Sequence, residues 1–295
     1  MNLRDLQYLV ALADVRHFGR AAERCHVSQP TLSAQLRKLE DYLRVPLIER
    51  RPRQVALTAA GEAIVARARR MLQDAEDIRE LARASADPLA GRLKIGLIPT
   101  LGPYLLPQVA PRMQQRLPRL QLMLHEYQTR PLVARIAGGE LDLGLLALPV
   151  DTGPLATREL FREPFMVAMP ERHRLAQRRR LTLADLRGEK LLLLEDGHCL
   201  REHALEVCRS AGTEEQDFRA TSLETLRQMV AAGLGLTLLP QLAASGPFGA
   251  TPGLVIRPFA PPAPYRVIGA AWRRSTTRAA AIAAVCDAVP VLRLR

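Results

Sequence analysis

Residues 18–61 read FGRAAERCHVSQPTLSAQLRKLEDYLRVPLIERRPRQVALTAAG. Ser28 ahead of Gln29 and Pro30 has the form of an N-cap with proline in the first turn of a helix. Leu32, Leu36, Leu39 and Leu43 then recur at i, i+4, i+7 and i+11, which predicts a helix over 29–43 with one apolar face. Its other face carries Ser28, Gln29, Thr31, Ser33, Gln35, Arg37 and Lys38. A shorter helix over 18–25, packed through Ala21 and Ala22, precedes it, and a helix over 2–14 comes first, with Leu3, Leu6, Leu9, Val10 and Ala13 in register. Downstream, VPLIERRPRQVALT has two short β-prone runs about a basic turn, Arg50-Arg51-Pro52-Arg53, which suggests a small β-wing.

Two helices joined by a turn, the second polar along one side, fit a helix-turn-helix. The N-terminal end of a recognition helix meets base edges and needs small or hydrogen-bonding side chains. Ser28, Gln29, Pro30, Thr31 and Ser33 supply them. Gln29 suits adenine and Thr31 the methyl of thymine. Arg37, Lys38, Arg50, Arg51 and Arg53 suit phosphates, contacts that position without reading sequence. A solvated polar face on a helical hairpin accounts for the same pattern without DNA.

Working outward, residues 59–86 have no proline and a single early glycine. Ile64, Val65, Ala68, Met71, Leu72, Ala75, Ile78 and Leu81 approximate a heptad seam, so a long linker helix that dimerises is expected; a helix packed only on its own domain is the alternative. Asp87-Pro88 to Gly91 marks a boundary. Beyond it, strand-like runs at 93–98, 120–127, 141–148, 163–169, 190–195, 235–239 and 265–271 alternate with helical ones. That pattern gives an α/β domain in which ligands sit at strand C-terminal ends. The expected organisation is a winged helix-turn-helix over 1–58, a linker helix over 59–90 and a two-lobed α/β domain over 91–295.

Composition bounds the function. The chain has 295 residues, 48% hydrophobic and 24% charged, which excludes a mainly disordered or collagen-like protein. Aromatics are only 4%, so the cores must be aliphatic. No apolar run approaches the ~18 residues of a membrane span. The start MNLRDLQYLV, with Asp5 in it, lacks the layout of a signal peptide, so a cytoplasmic location without membrane association is expected. The net charge is +12, of which residues 1–58 hold +4, 59–90 hold −1 and the remainder +9. This surplus is compatible with nucleic acid but does not locate the contact. Four cysteines are too few for a disulfide scaffold.

The segment KLLLLEDGHCLREHALEVCRSAG (190–212) places Cys199 after Gly197-His198, where a strand gives way to a helix. A helix N-terminus with cations nearby, here Arg201 and His198, lowers the pKa of a thiol. Ala204, Leu205 and Cys208 share an apolar helical face, so Cys208 is expected inside and Cys199 at least partly approachable. At ~1.5 Å rise per residue, nine residues of helix put the two Cα atoms roughly 13 Å apart, whereas a disulfide needs them within about 7 Å. A bond between them therefore requires unwinding. Two structural cysteines, a zinc site built from His198, Cys199, His203 and Cys208, and a catalytic thiol all remain open on the pattern itself. Cys25 and Cys286 read as packing residues.

The helix-turn-helix stretch resembles the LysR-type transcriptional regulators. Ala21-Ala22, Ser28-Gln29-Pro30, Ser33, Leu39-Glu40, Pro46-Leu47, Arg50, Leu57-Thr58 and Gly61 carry the resemblance. It implies a periplasmic-binding-protein-like effector domain and a homotetramer, built from homodimers, on double-stranded promoter DNA. LIPTLGPYLLP (97–107), LHEYQT (124–129), GEKLLLLEDGHCLR (188–201) and FRATSLETLRQMVAAGLGLTLLP (218–240) are similar to the hydrogen-peroxide-sensing branch of that family. This second resemblance implies that Cys199 is the peroxidatic thiol and Cys208 the resolving one. It places Thr100, Thr129 and His198 around a peroxide pocket. It also implies activation of antioxidant genes with RNA polymerase, and reduction by glutaredoxin or thioredoxin, without cofactor, metal or enzymatic turnover. A family member that binds a metabolite in its inter-lobe cleft, and a thiol peroxidase, are the competing functions. The cap after a strand for Thr100 and a helix N-cap for Thr129 are the structural alternatives.

Overall fold

The computed structural model describes residues 1–51, 54–84, 87–245 and 251–289. Two compact units are present, Met1–Ala86 and Asp87–Arg295. In the first, α1 (Leu3–Val15), α2 (Phe18–Arg24) and α3 (Gln29–Leu43) are followed by the hairpin β1 (Ile48–Arg51) and β2 (Gln54–Leu57), then by α4 (Ala59–Ala84).

Local chemistry fixes these boundaries. Asn2 and Asp5 form a reciprocal capping box at the start of α1. Ser28 accepts from Thr31 N to open α3, with Pro30 in the first turn as expected. Leu9, Leu12, Ala21, Leu32, Leu36, Leu39 and Leu47 form the core of this unit. Glu40 accepts from the backbone N–H groups of Leu47 and Ile48 at 2.7 and 3.1 Å, which ties α3 to the wing. Gly61 lies so close to Leu47 that a Cβ there would fall 2.2 Å from its carbonyl oxygen. Early α4 residues Val65 and Ala68 are buried, and Arg69 pairs with Asp14 on α1. Further along α4, Met71 and Ile78 are exposed, at 45% and 67%.

Arg50 and Arg51 belong to strand β1, paired opposite Val55 and Gln54, rather than to the turn expected from sequence. Their alternating backbone suits a ladder. Their side chains, like Pro52 and Arg53 altogether, lie outside the described residues.

The second unit runs β3 (Gly91–Leu97), α5 (Gly102–Arg116), β4 (Leu120–Glu126), α6 (Thr129–Ala137), β5 (Leu143–Leu148), β6 (Leu155–Pro170), β7 (Lys190–Leu194), α7 (Cys199–Ala211), β8 (Glu214–Ala220), α8 (Leu223–Ala231), β9 (Thr237–Pro240), α9 (Gln241–Ala244), β10 (Leu254–Pro258), β11 (Tyr265–Arg273) and α10 (Ala279–Ala288). Strands β10-β6-β11-β5-β3-β4 hydrogen-bond in that order, with β9 also on β6. The long strand β6 joins two lobes. Its first part pairs with β11 and its last part with β9 and β10. One lobe holds the parallel strands β3, β4 and β5; the other holds the parallel pair β7-β8, bridged to the β9 region through Leu191 and Leu236.

Three strands fall outside the expected runs, one of them the apolar β10 (LVIRP). The start of β6 (LATRELFRE) and all of β8 (EEQDFRA) are charged, so no hydrophobic period announces them.

Candidate functional site: a thiol at a strand-to-helix turn

Three turns carry the expected sensor residues, and each follows the C-terminal end of a parallel strand. Thr100 lies between β3 and α5, Thr129 opens α6 after β4, and His198-Cys199 open α7 after β7. Contacts bring these turns together. Gln128 Nε2 lies 3.4 Å from His198 Nε2, joining residues 70 apart. Gly197 has φ +97°, and a Cβ there would meet Gln128 Oε1 at 2.8 Å. Glycine is thus needed for the left-handed turn, and its missing Cβ leaves room for the Gln128 amide. On the other side, a Cβ on Gly102 would lie 2.7 Å from Glu126 Oε1, so the Thr100 turn abuts the end of β4.

Thr100, Thr129, His198 and Cys199 are all buried. For Cys199 this corrects the expectation of a partly approachable thiol: at 8% exposure it belongs to the buried core of the second unit. Arg201 is buried beside the same turn. Its Nε donates to Asp196 Oδ1 at 3.0 Å and its Nη1 to the Leu194 carbonyl at 3.4 Å.

Neither threonine is a helix cap. Leu101 is the N-cap of α5 and Gln128 that of α6, both without a side-chain cap bond. Thr100 Oγ1 accepts from Arg266 Nη1 at 2.9 Å. Thr129 Oγ1 is buried and has no hydrogen-bond partner among the described residues. An unsatisfied buried hydroxyl costs about 1–3 kcal/mol, which a small donor–acceptor ligand can recover.

Sequence reasoning missed Arg266 and Glu163. Arg266 Nε donates to Glu163 Oε2 at 2.8 Å, and Glu163 Oε1 accepts from Leu242 N at 2.9 Å. Both side chains are fully buried. A lone arginine within the otherwise apolar run APYRVIGAAW (263–272) was the available signal. His203, on α7, has its imidazole held below the ordinary value of 6.5 by burial first and by Arg266 second.

The remaining thiols differ in setting. Burial pushes Cys286 up to about 11. Burial also raises Cys25, against the opposing charge of Arg24. Cys208 lies in α7, nine residues of helix after Cys199; its side chain is outside the described residues. Among the described residues, no group of three His, Cys, Asp or Glu side chains is placed to hold a metal ion.

On the DNA-reading side, Ser28, Gln29, Pro30 and Thr31 at the start of α3 are exposed, as are Arg37 and Lys38. Ser33 is half-buried. The Ser28 and Thr31 hydroxyls also bond each other at 2.8 Å.

Residues 3–62 match the bacterial regulatory helix-turn-helix proteins of the lysR family, and residues 86–290 match the LysR substrate binding domain. The chain belongs to the LysR family of transcriptional regulators. Within that family it belongs to the OxyR group. It is 52% identical over 274 residues to the DNA-binding transcriptional dual regulator OxyR of Escherichia coli K12, covering 92% of this chain and 90% of that protein. Full-length OxyR from Pseudomonas aeruginosa, carrying a Cys-to-Asp substitution, superposes with a TM-score of 0.78 at 42% identity, covering 100% of this chain and 96% of that one. A cysteine-to-serine variant of Corynebacterium glutamicum OxyR with hydrogen peroxide bound gives 0.66 at 36% identity, covering 98% and 93%.

Proposed function

We propose that this chain is a peroxide-sensing transcriptional regulator whose switch is a disulfide between Cys199 and Cys208. The observation that carries the reading is helix α7, which opens at Cys199 and contains Cys208. Roughly 13 Å of helix separate the two Cα atoms, against a limit of about 7 Å for a disulfide.

The Cys199 thiolate attacks one oxygen of hydrogen peroxide. An S–O bond forms as the O–O bond breaks, and the departing hydroxide takes a proton to leave as water. The Cys208 thiolate then attacks the Cys199 sulfur; an S–S bond forms, the S–O bond breaks and a second water leaves. Two electrons pass from the thiols to peroxide. Thr100, Thr129 and His198 orient the peroxide and polarise its leaving oxygen. A dithiol protein such as glutaredoxin or thioredoxin returns the pair to thiols.

Closing the bond unwinds α7, an ordered element turned into a disordered one. Moving a population from 1:99 to 99:1 takes about 5.5 kcal/mol. A two-electron couple supplies about 1.4 kcal/mol per 30 mV, so a modest redox difference suffices.

Residues 1–58 read DNA, 59–90 pair protomers and 91–295 sense. Ser28, Gln29, Pro30, Thr31 and Ser33 face base edges, while Arg37, Lys38, Arg50, Arg51 and Arg53 hold phosphates. The homotetramer acts in the cytoplasm on promoter DNA with RNA polymerase. Cys199→Ser is expected to hold the reduced footprint in the presence of peroxide. A footprint in that variant that still shifts with peroxide overturns the assignment.

A further inference from the structure

The charge surplus beyond residue 90 has a location. Residues 172–190 carry seven Arg or Lys against Asp185 and Glu189. Two of the seven are engaged by those acids: Arg174 pairs with Glu189 and Arg178 with Asp185. Arg172, Arg179, Arg180, Arg187 and Lys190 are exposed and have no ion pair among the described residues.

The backbone that bears them is fixed. Leu175, Ala176, Leu181 and Leu186 are buried beneath it. Arg257 on β10 donates to the carbonyls of Arg178 and Ala176 at 2.8 and 2.9 Å. Leu181 exchanges backbone bonds with Pro258 and Ala260 at 3.0 and 2.8 Å, and Thr182 is clamped by Asp185. The arginines therefore project from a preorganised platform and not from a loose loop. No exposed aromatic or large aliphatic side chain lies within 171–190. Protein–protein interfaces are built around such anchors, whereas DNA interfaces are polar and strongly positive. Guanidinium forks match phosphate geometry.

We propose that this arginine-bearing segment of the regulatory unit is a second, sequence-independent DNA contact that grips phosphates of a duplex. The full-length Arg172→Ala/Arg179→Ala/Arg180→Ala/Arg187→Ala variant and its all-Lys counterpart are titrated against a long random-sequence duplex over a salt series. Removing one cation from a phosphate lowers the slope of log Kobs against log salt by about 0.9. The Ala variant is expected to drop by at least about 2 in slope and ten-fold or more in low-salt affinity, and the Lys variant to keep the wild-type slope. In the wild-type chain, the duplex should slow phenylglyoxal modification of Arg179 and Arg180 several-fold. Unchanged slope together with unprotected arginines overturns the proposal, and loss of activation in that case assigns the segment to an acidic protein instead.

Discussion

Arg266 holds Thr100 by both of its oxygens: Nη1 donates to Oγ1 and Nη2 to the backbone carbonyl, each at 2.9 Å. The same guanidinium pairs with Glu163, and both partners are at 0% exposure. Breaking a buried pair from one side leaves an uncompensated charge and costs about 3–5 kcal/mol. Glu163→Ala should therefore lower the stability of the regulatory unit by that amount in urea unfolding. The paired change Glu163→Leu with Arg266→Met should cost less than Glu163→Ala does, because no charge stays buried.

Thr129 offers the opposite case. Its hydroxyl is buried without a partner among the described residues, so Thr129→Val should leave stability unchanged or raise it by about 1 kcal/mol. The rate of thiol loss with peroxide should fall about ten-fold or more, since a ligand hydrogen bond disappears. Stopped-flow oxidation and thermal melting on the same sample separate the two effects.

His203 predicts a pH dependence. Its imidazole sits below 6.5, through burial first and Arg266 second, with Glu206 and Glu202 opposing. As pH falls through 6.5 the unfolded chain takes the proton first, so stability is lost from there down to the folded-state value and then levels off. His203→Gln should flatten the dependence of melting temperature on pH below 6.5 relative to wild type. A wild-type curve already flat there contradicts this reading.

Exposure along α4 changes partway. Val65 and Ala68 are buried against their own unit, while Met71 and Ile78 are 45% and 67% exposed. Ile78→Glu should shift the oligomer toward monomers in light scattering while leaving the melting of the winged-helix unit intact.

Much of this was legible in the residues. The leucine spacing of α3, the Ser28 cap and the wing all follow local rules, so pattern reading recovers them. The strand ends that position Thr100, Thr129 and His198 follow from alternation of apolar runs. What escaped is long-range. Arg266 and Glu163 lie 103 residues apart in sequence, and no local period marks a buried ion pair. The burial of Cys199 escaped too, because it depends on the lobe packed around α7 and not on the first turn of α7 itself. Gln128 against His198 is another contact across 70 residues.

The most direct test follows α7 through oxidation. Hydrogen exchange of residues 199–211, with thiol mass mapping, is recorded before and after one equivalent of peroxide. A Cys199–Cys208 crosslink accompanied by loss of amide protection across this helix is the predicted result. A crosslink that leaves the helix protected, or full oxidation that leaves both sulfurs unjoined, contradicts the switch.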